Sequence, residues 1–215
     1  MLAVLTLEAH RAGAMVIGED LGTVEPEVTE GLIERNVLSS SVLWFTRDYD
    51  APDQPLLAPQ QWPEQSVATV STHDLPTLVG FLRGAHVQAR AELGLLDDVE
   101  AEQAKAEADR AELIELLRGQ GLVEAADAGE EELVLAVHAL LARARSRLVL
   151  VAPPDVIGET RQPNLPGTVD QYPNWRLPLP LSLEELRTDP RVLAVTRLFG
   201  HDRPGAEPTV TAPPE

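Results

Sequence analysis

Apolar positions in this chain fall into short unbroken runs and helical stripes, separated by glycine and proline. Leu2, Leu5, Glu8 and Ala9 fit a helix that stops near Arg11-Ala12-Gly13, where glycine suits the helix end. Ala14–Gly18 follows as a run too short for a helix and reads as a buried strand. Pro26–Arg35, with proline in the first turn and acids early, predicts a second helix. Ser41–Phe45 is short, β-branched and aromatic, and predicts a second strand with Trp44 and Phe45 in the core. The stretch from Asp48 to Pro63 carries Pro52, Pro55, Pro59 and Pro63 and reads as a loop, in which the place of Trp62 is open. Val67–Thr72 is the third predicted strand, and Leu75–Arg83 the helix after it.

From Ala85 to Arg147 the chain is rich in alanine, leucine and glutamate. Its stripes predict helices over Ala91–Leu117 and Glu130–Arg145, without the sustained heptads of a coiled coil. Arg147–Ala152 is the fourth predicted strand, ended by Pro153-Pro154. Asn164–Leu181 reads as a long loop. Ser182 caps a helix whose first turn holds Glu184-Glu185, and Val192–Leu198 is a last helix. Gly200–Glu215, with four prolines, reads as a disordered tail. Strand followed by helix, four times over, is the pattern of an α/β fold with a parallel sheet and crossover helices. A closed eight-stranded barrel typically takes about 250 residues. Four strands allow either a small open sheet or half of a barrel.

Composition narrows the possible partners. With 215 residues and 44% apolar content, the chain can bury a real core. Its net charge of -18 argues against nucleic acid and anionic membrane surfaces, both of which call for clustered cations. Acidic helices that keep a protein soluble account for most of that charge. Cysteine is absent, which removes disulfides and thiolate chemistry. No segment approaches the roughly 20 apolar residues of a membrane helix. The apolar start lacks a basic region before it and is followed directly by Glu8, His10 and Arg11, so a signal peptide is not expected and the expected location is cytoplasmic. His10, His86, His138 and His201 share no metal-ligand spacing and read as structural or solvated. No metal or organic cofactor is expected.

Candidate chemistry lies at two strand tips. The first strand runs into Glu19-Asp20-Leu21-Gly22, and the third into His73-Asp74-Leu75-Pro76-Thr77. A carboxylate at the C-terminal end of a parallel strand is where α/β barrels keep their reactive groups. Two such carboxylates could serve one sugar ring as proton donor and charge stabiliser, although retaining sugar chemistry needs a third as nucleophile. The simpler readings are a surface glutamate at Glu19 and a helix cap at His73-Asp74. Asp20, next to Glu19, should face the other way and order the loop.

Three segments carry a resemblance. Gly18-Glu19-Asp20-Leu21-Gly22-Thr23-Val24-Glu25-Pro26 resembles the acid/base strand of the 4-α-glucanotransferases, the amylomaltase or disproportionating-enzyme family of the wider α-amylase superfamily. Ser71-Thr72-His73-Asp74-Leu75-Pro76-Thr77-Leu78 is similar to that family's segment after the seventh barrel strand. Asn164-Leu165-Pro166-Gly167-Thr168-Val169-Asp170-Gln171-Tyr172-Pro173-Asn174-Trp175-Arg176 is similar to its loop after the eighth.

The resemblance implies that Glu19 is the general acid/base and Asp74 the transition-state stabiliser. His73, Asn164, Asn174 and Trp175 would bind substrate. For Trp175, a buried anchor of the loop is an equally good reading. The implied substrates are α-1,4-glucans and maltooligosaccharides. The implied fold is the second half, four β/α units, of a TIM (β/α)8 barrel with a helical insertion. Residues 1–84 would hold the barrel units with both carboxylates, 85–146 the insertion, 147–199 the last unit with the substrate loop, and 200–215 the tail.

The family's nucleophile is an aspartate in an Arg-x-Asp-His context, and no such tetrapeptide occurs in the 215 residues. The expectation is therefore a C-terminal portion that lacks the N-terminal half of its barrel and is inactive alone. A hydrolytic member of the superfamily and a non-catalytic glucan-binding fragment are the alternatives.

Overall fold

The computed structural model describes residues 1–125 and 127–200; the expected tail beyond Gly200 lies outside them. Helix α1 (Leu2–Ala12) ends as its sequence predicts, with Gly13 at φ 60° and its amide returned to the carbonyls of Ala9 and His10. Helix α2 (Pro26–Ile33) starts on its proline. Between them the expected strand contracts to one parallel bridge, Ile17 with Leu38, made by Gly18 N–H to Leu38 O and Leu38 N–H to Val16 O.

Strands β1 (Ser39–Val42), β2 (Ser66–Thr69) and β3 (Leu148–Val149) form a parallel sheet in that order. Ser39 pairs with Ser66 and Val67 with Leu148 in the register. Leu38 bonds toward Ile17 while Ser39 bonds toward Gln65, so the Ile17 segment lies on the outer side of β1. All four extended segments thus run the same way, and their C-terminal ends share one edge.

Several local expectations need correction. The second strand ends at Val42, and Leu43–Phe45 turns into a 3-10 helix. That turn half-buries Trp44 against Phe81, with ring centroids 4.1 Å apart, and leaves Phe45 exposed. Phe45 is therefore not a core residue. Trp62 is one: it is buried, and its indole N–H donates to Leu57 O. The long predicted helix is broken at Gly94, φ 65°, into α4 (Ala85–Glu92) and α5 (Val99–Gly119), the latter capped by Asp98. Pro153-Pro154 does not merely end a strand. The two prolines open α7 (Pro153–Ile157), where their missing amides cost nothing.

Helices α3 (Leu78–Leu82), α5 and α6 (Glu130–Ala142) share one apolar cluster with the sheet. It runs from Ala68 and Val70 through Leu78, Val79 and Phe81 to Leu113, Leu117, Val137 and Leu141. Each fully buried leucine adds about 1.5–3 kcal/mol of burial free energy. Thus α5 and α6 pack into the same core as the strands. His138 sits in that core; its Nδ1–H donates to Val134 O at 2.7 Å, and burial lowers its pKa. A smaller cluster joins Val156 and Ile157 of α7 to Val195 of α9 (Pro190–Leu198). The intervening α8 (Leu183–Leu186) carries the capping box expected at Ser182.

Candidate active site

Both carboxylate motifs lie past the C-terminal edge of the sheet. At the first, Asp20 Oδ1 accepts the Ser40 N–H at 2.9 Å, and the Ser40 hydroxyl donates to Gly18 O. The turn is strapped to β1 by Asp20, while Glu19 is exposed. An open cleft of about 980 Å³ runs past this turn, lined by Asp20, Leu21, Gly22, Ser40, Phe45 and Tyr49 among others.

At the second motif the helix-cap reading of Asp74 fails. Helix α3 begins at Leu78, and its cap is Thr77, whose hydroxyl accepts the Gly80 N–H. Asp74 is instead half exposed and held by side chains. Asn164 Nδ2 donates to Asp74 Oδ1 at 2.5 Å, and His73 Nε2 lies 3.3 Å from Asp74 Oδ2. The other flank of His73 meets Trp175, with ring centroids 4.9 Å apart at a 46° tilt.

Trp175 is 66% exposed, with φ 61°, and its N–H is bonded to Pro163 O. A bulky residue in left-handed backbone costs about 1–2 kcal/mol, so the loop holds an indole face to solvent at a price in strain. Within this chain Trp175 is not a buried anchor of its loop. Asn174 does the anchoring: its Oδ1 accepts the Leu165 N–H, and its Nδ2 donates to the Thr168 hydroxyl. The Asn174 amide is thus engaged within its own loop, whereas Asn164 reaches across to Asp74.

A second layer beneath the cluster has no counterpart among the sequence-derived candidates. Buried Gln162 directs Nε2 to the carbonyls of Asn164, at 2.7 Å, and Asp74, at 3.4 Å. The Asn164 N–H donates to His73 O. One turn deeper, the Thr77 hydroxyl donates to Glu159 O, and Asp155 Oδ1 accepts the Leu78 N–H at 2.8 Å. Asp155 is 2% exposed; burial pushes its carboxyl up to about 6, and the Leu78 amide opposes that rise. Its Oδ2 has no hydrogen-bond partner among the described residues. The sequence signal available for Asp155 is an aspartate directly after a proline pair that opens a helix.

The structure therefore brings His73, Asp74, Asn164 and Trp175 into one cluster. It places Glu19 on a neighbouring turn at the same sheet edge, with the Ile17 segment and β2 separated by β1 alone. Two strand spacings amount to about 10 Å sideways. Among the described residues, no group of three or more His, Cys, Asp or Glu side chains is placed to hold a metal ion, and no helix is long and apolar enough to cross a membrane.

Fold and site together define an α/β protein whose polar groups gather at the C-terminal ends of parallel strands. A family model for 4-alpha-glucanotransferase matches residues 1–183, and the chain belongs to that family. It is 48% identical over 200 residues to the 4-alpha-glucanotransferase of Mycobacterium tuberculosis, an alignment covering 89% of this chain and 28% of that protein. The Haemophilus influenzae 4-alpha-glucanotransferase is 30% identical over 184 residues, covering 81% of this chain and 26% of the relative. The crystal structure of amylomaltase from Corynebacterium glutamicum superposes with a TM-score of 0.85 at 35% identity, covering 91% of this chain and 30% of that one. The chain thus spans little more than a quarter of the length of the curated relatives it matches.

Proposed function

We propose that this chain supplies the acid/base, the charge stabiliser and part of the glucan cleft of a 4-α-glucanotransferase. It would be the second half of that enzyme's (β/α)8 barrel, with α4 to α6 as its helical insertion. The observation that carries this reading is the Asp74 cluster: a carboxylate past a parallel strand, with an amide and an imidazole on its two oxygens and an exposed indole beside them.

In the proposed reaction Glu19 protonates the departing glycosidic oxygen. A carboxylate outside this chain forms the glycosyl-enzyme bond, and Asp74 favours the positive charge that builds on the ring. Glu19 then takes the proton from the 4-hydroxyl of the acceptor maltooligosaccharide, so that sugar replaces sugar with net retention. Trp175 offers its face to sugar C–H groups.

Family membership and coverage of about a quarter of the relatives support a longer protein that holds the nucleophile. The edge of the sheet points the same way: Met15 and Ile17, on the outermost segment, are 60% and 42% exposed. Further strands pairing there would cover them.

Incubation of the full-length protein with maltotriose tests the reading. Longer maltooligosaccharides are expected, together with their loss in Glu19→Gln at nearly unchanged substrate binding. Glucose and maltose alone would indicate hydrolysis, and an unaffected Glu19→Gln rate would overturn the acid/base role. The 215-residue chain expressed alone is expected to turn over no maltotriose.

A further inference from the structure

The Asp74 turn is aligned by a segment that comes more than 80 residues later. Asp155 bonds Leu78, Glu159 O bonds Thr77, Gln162 bonds the Asp74 carbonyl, and Asn164 bonds His73 and Asp74. Residues 155–164 thus lie along residues 73–80 like one side of a zip. The fit leaves no slack, since a Cβ at Gly80 would stand 2.5 Å from Thr160 O. Asp155 is the deepest of these contacts and the only one made by a buried carboxylate. Its acceptor oxygen meets the first amide of α3, a donor no helical carbonyl can satisfy. Where α3 starts decides where the His73-Asp74 turn sits, because only Leu75, Pro76 and Thr77 lie between them.

We propose that Asp155 is a positioning residue for the transfer reaction: it fixes the start of α3, and through it the placement of the Asp74 carboxylate against the substrate. The inference rests on the role proposed for Asp74. Asp155 is too deeply buried to touch a sugar, so its effect belongs in kcat, where a misplacement of about 1 Å costs on the order of 100-fold, and leaves KM nearly alone.

The test is maltotriose transfer by the full-length protein carrying Asp155→Asn, Asp155→Ala, Thr77→Val or Val156→Ala. Asp155→Asn keeps an oxygen facing the Leu78 amide and is expected to stay within about threefold of wild-type kcat, because the hydrogen bond survives. Asp155→Ala is expected to lose about 30- to 100-fold in kcat with KM within about threefold. Thr77→Val removes both the contact to Glu159 and the α3 cap at Gly80 with little change of size, and is expected to lose kcat in the same manner; if Asp155→Ala does not fold, Asp155→Ser, too short to reach the Leu78 amide, carries the test with the same expected loss. Val156→Ala loosens α7 without touching the bond and is expected to keep kcat even where its urea midpoint matches that of Asp155→Ala. Equal kcat losses in Val156→Ala and Asp155→Ala, or a failure of Asp155→Asn to rescue, would overturn the proposal. No transfer by the wild-type protein would instead remove the proposed function, and this inference with it.

Discussion

Asn164 Nδ2 donates to Asp74 Oδ1 at 2.5 Å across 90 residues of sequence. A hydrogen bond to a charged group is worth about 1.5–3 kcal/mol, and here it holds one of two carboxylate oxygens in place. In the full-length protein Asn164→Ala is expected to lower kcat/KM for maltotriose by about 10- to 100-fold, the factor that about 2 kcal/mol implies. Asn164→Asp sets a second carboxylate against Asp74 and is expected to cost more. Steady-state kinetics at pH 7 for both variants checks the order.

Trp175 combines exposure with a backbone that favours glycine. Trp175→Ala loses the indole face and keeps the strained φ, whereas Trp175→Gly loses the face and relieves the strain. Both are expected to raise KM for maltotriose about tenfold, a loss of binding near 1.4 kcal/mol. Trp175→Gly is expected to be more stable than Trp175→Ala by about 1 kcal/mol in urea unfolding. Equal stabilities would mean that the loop, not the residue, sets that φ.

Two glycines give opposite signs. A Cβ at Gly80 would lie 2.5 Å from Thr160 O and 2.8 Å from the Thr77 hydroxyl, so Gly80→Ala is forced into backbone. A loss of about 2–3 kcal/mol is expected from that overpacking. Gly119 closes α5 with open space around its missing side chain, and Gly119→Ala is expected to gain about 0.5–1 kcal/mol from helix propensity. Urea denaturation of the two variants tests both signs.

The buried Asp155 makes stability depend on pH. Its carboxyl is raised from 3.8 to about 6, so between those values the folded protein binds a proton that the unfolded chain releases. The contribution is fully present below about pH 4 and is lost as pH rises through about 6, a swing of about 3 kcal/mol. His138 acts in the opposite sense. Burial lowers its pKa, so stability falls as pH drops below its ordinary 6.5. Asp155→Asn is expected to remove the first dependence and leave the second, so its stability relative to wild type should improve from pH 4.5 to 7.5. Urea midpoints across that range provide the measurement.

What was legible in the sequence was mostly local. The Gly13 stop and the Ser182 capping box each occupy a few adjacent residues, and both appear where the pattern places them. The parallel sheet was legible as well, because strand and helix alternate along the chain. Strand lengths were not. Ala14–Gly18 has strand composition, yet among the described residues it pairs through the single Ile17–Leu38 bridge. Trp44 and Phe45 have strand chemistry too, yet the chain turns into a 3-10 helix beneath them. The motifs placed His73-Asp74 and Asn164 on separate loops, and only folding could show that these loops touch. Asp155 and Gln162 were missed for the same reason: their partners lie 77 and 88 residues away, and a proline pair before an aspartate marks a helix start without naming what the aspartate binds.

That separation also puts the site on a clock. At about 5–20 residues per second, the 90 residues between Asp74 and Asn164 take roughly 5 to 18 s to synthesise. Throughout that interval the turn bearing Asp74 exists without its mate. A ribosome stalled before Asn164 would leave the turn unset, so a pause anywhere between the two residues delays the fixing of Asp74.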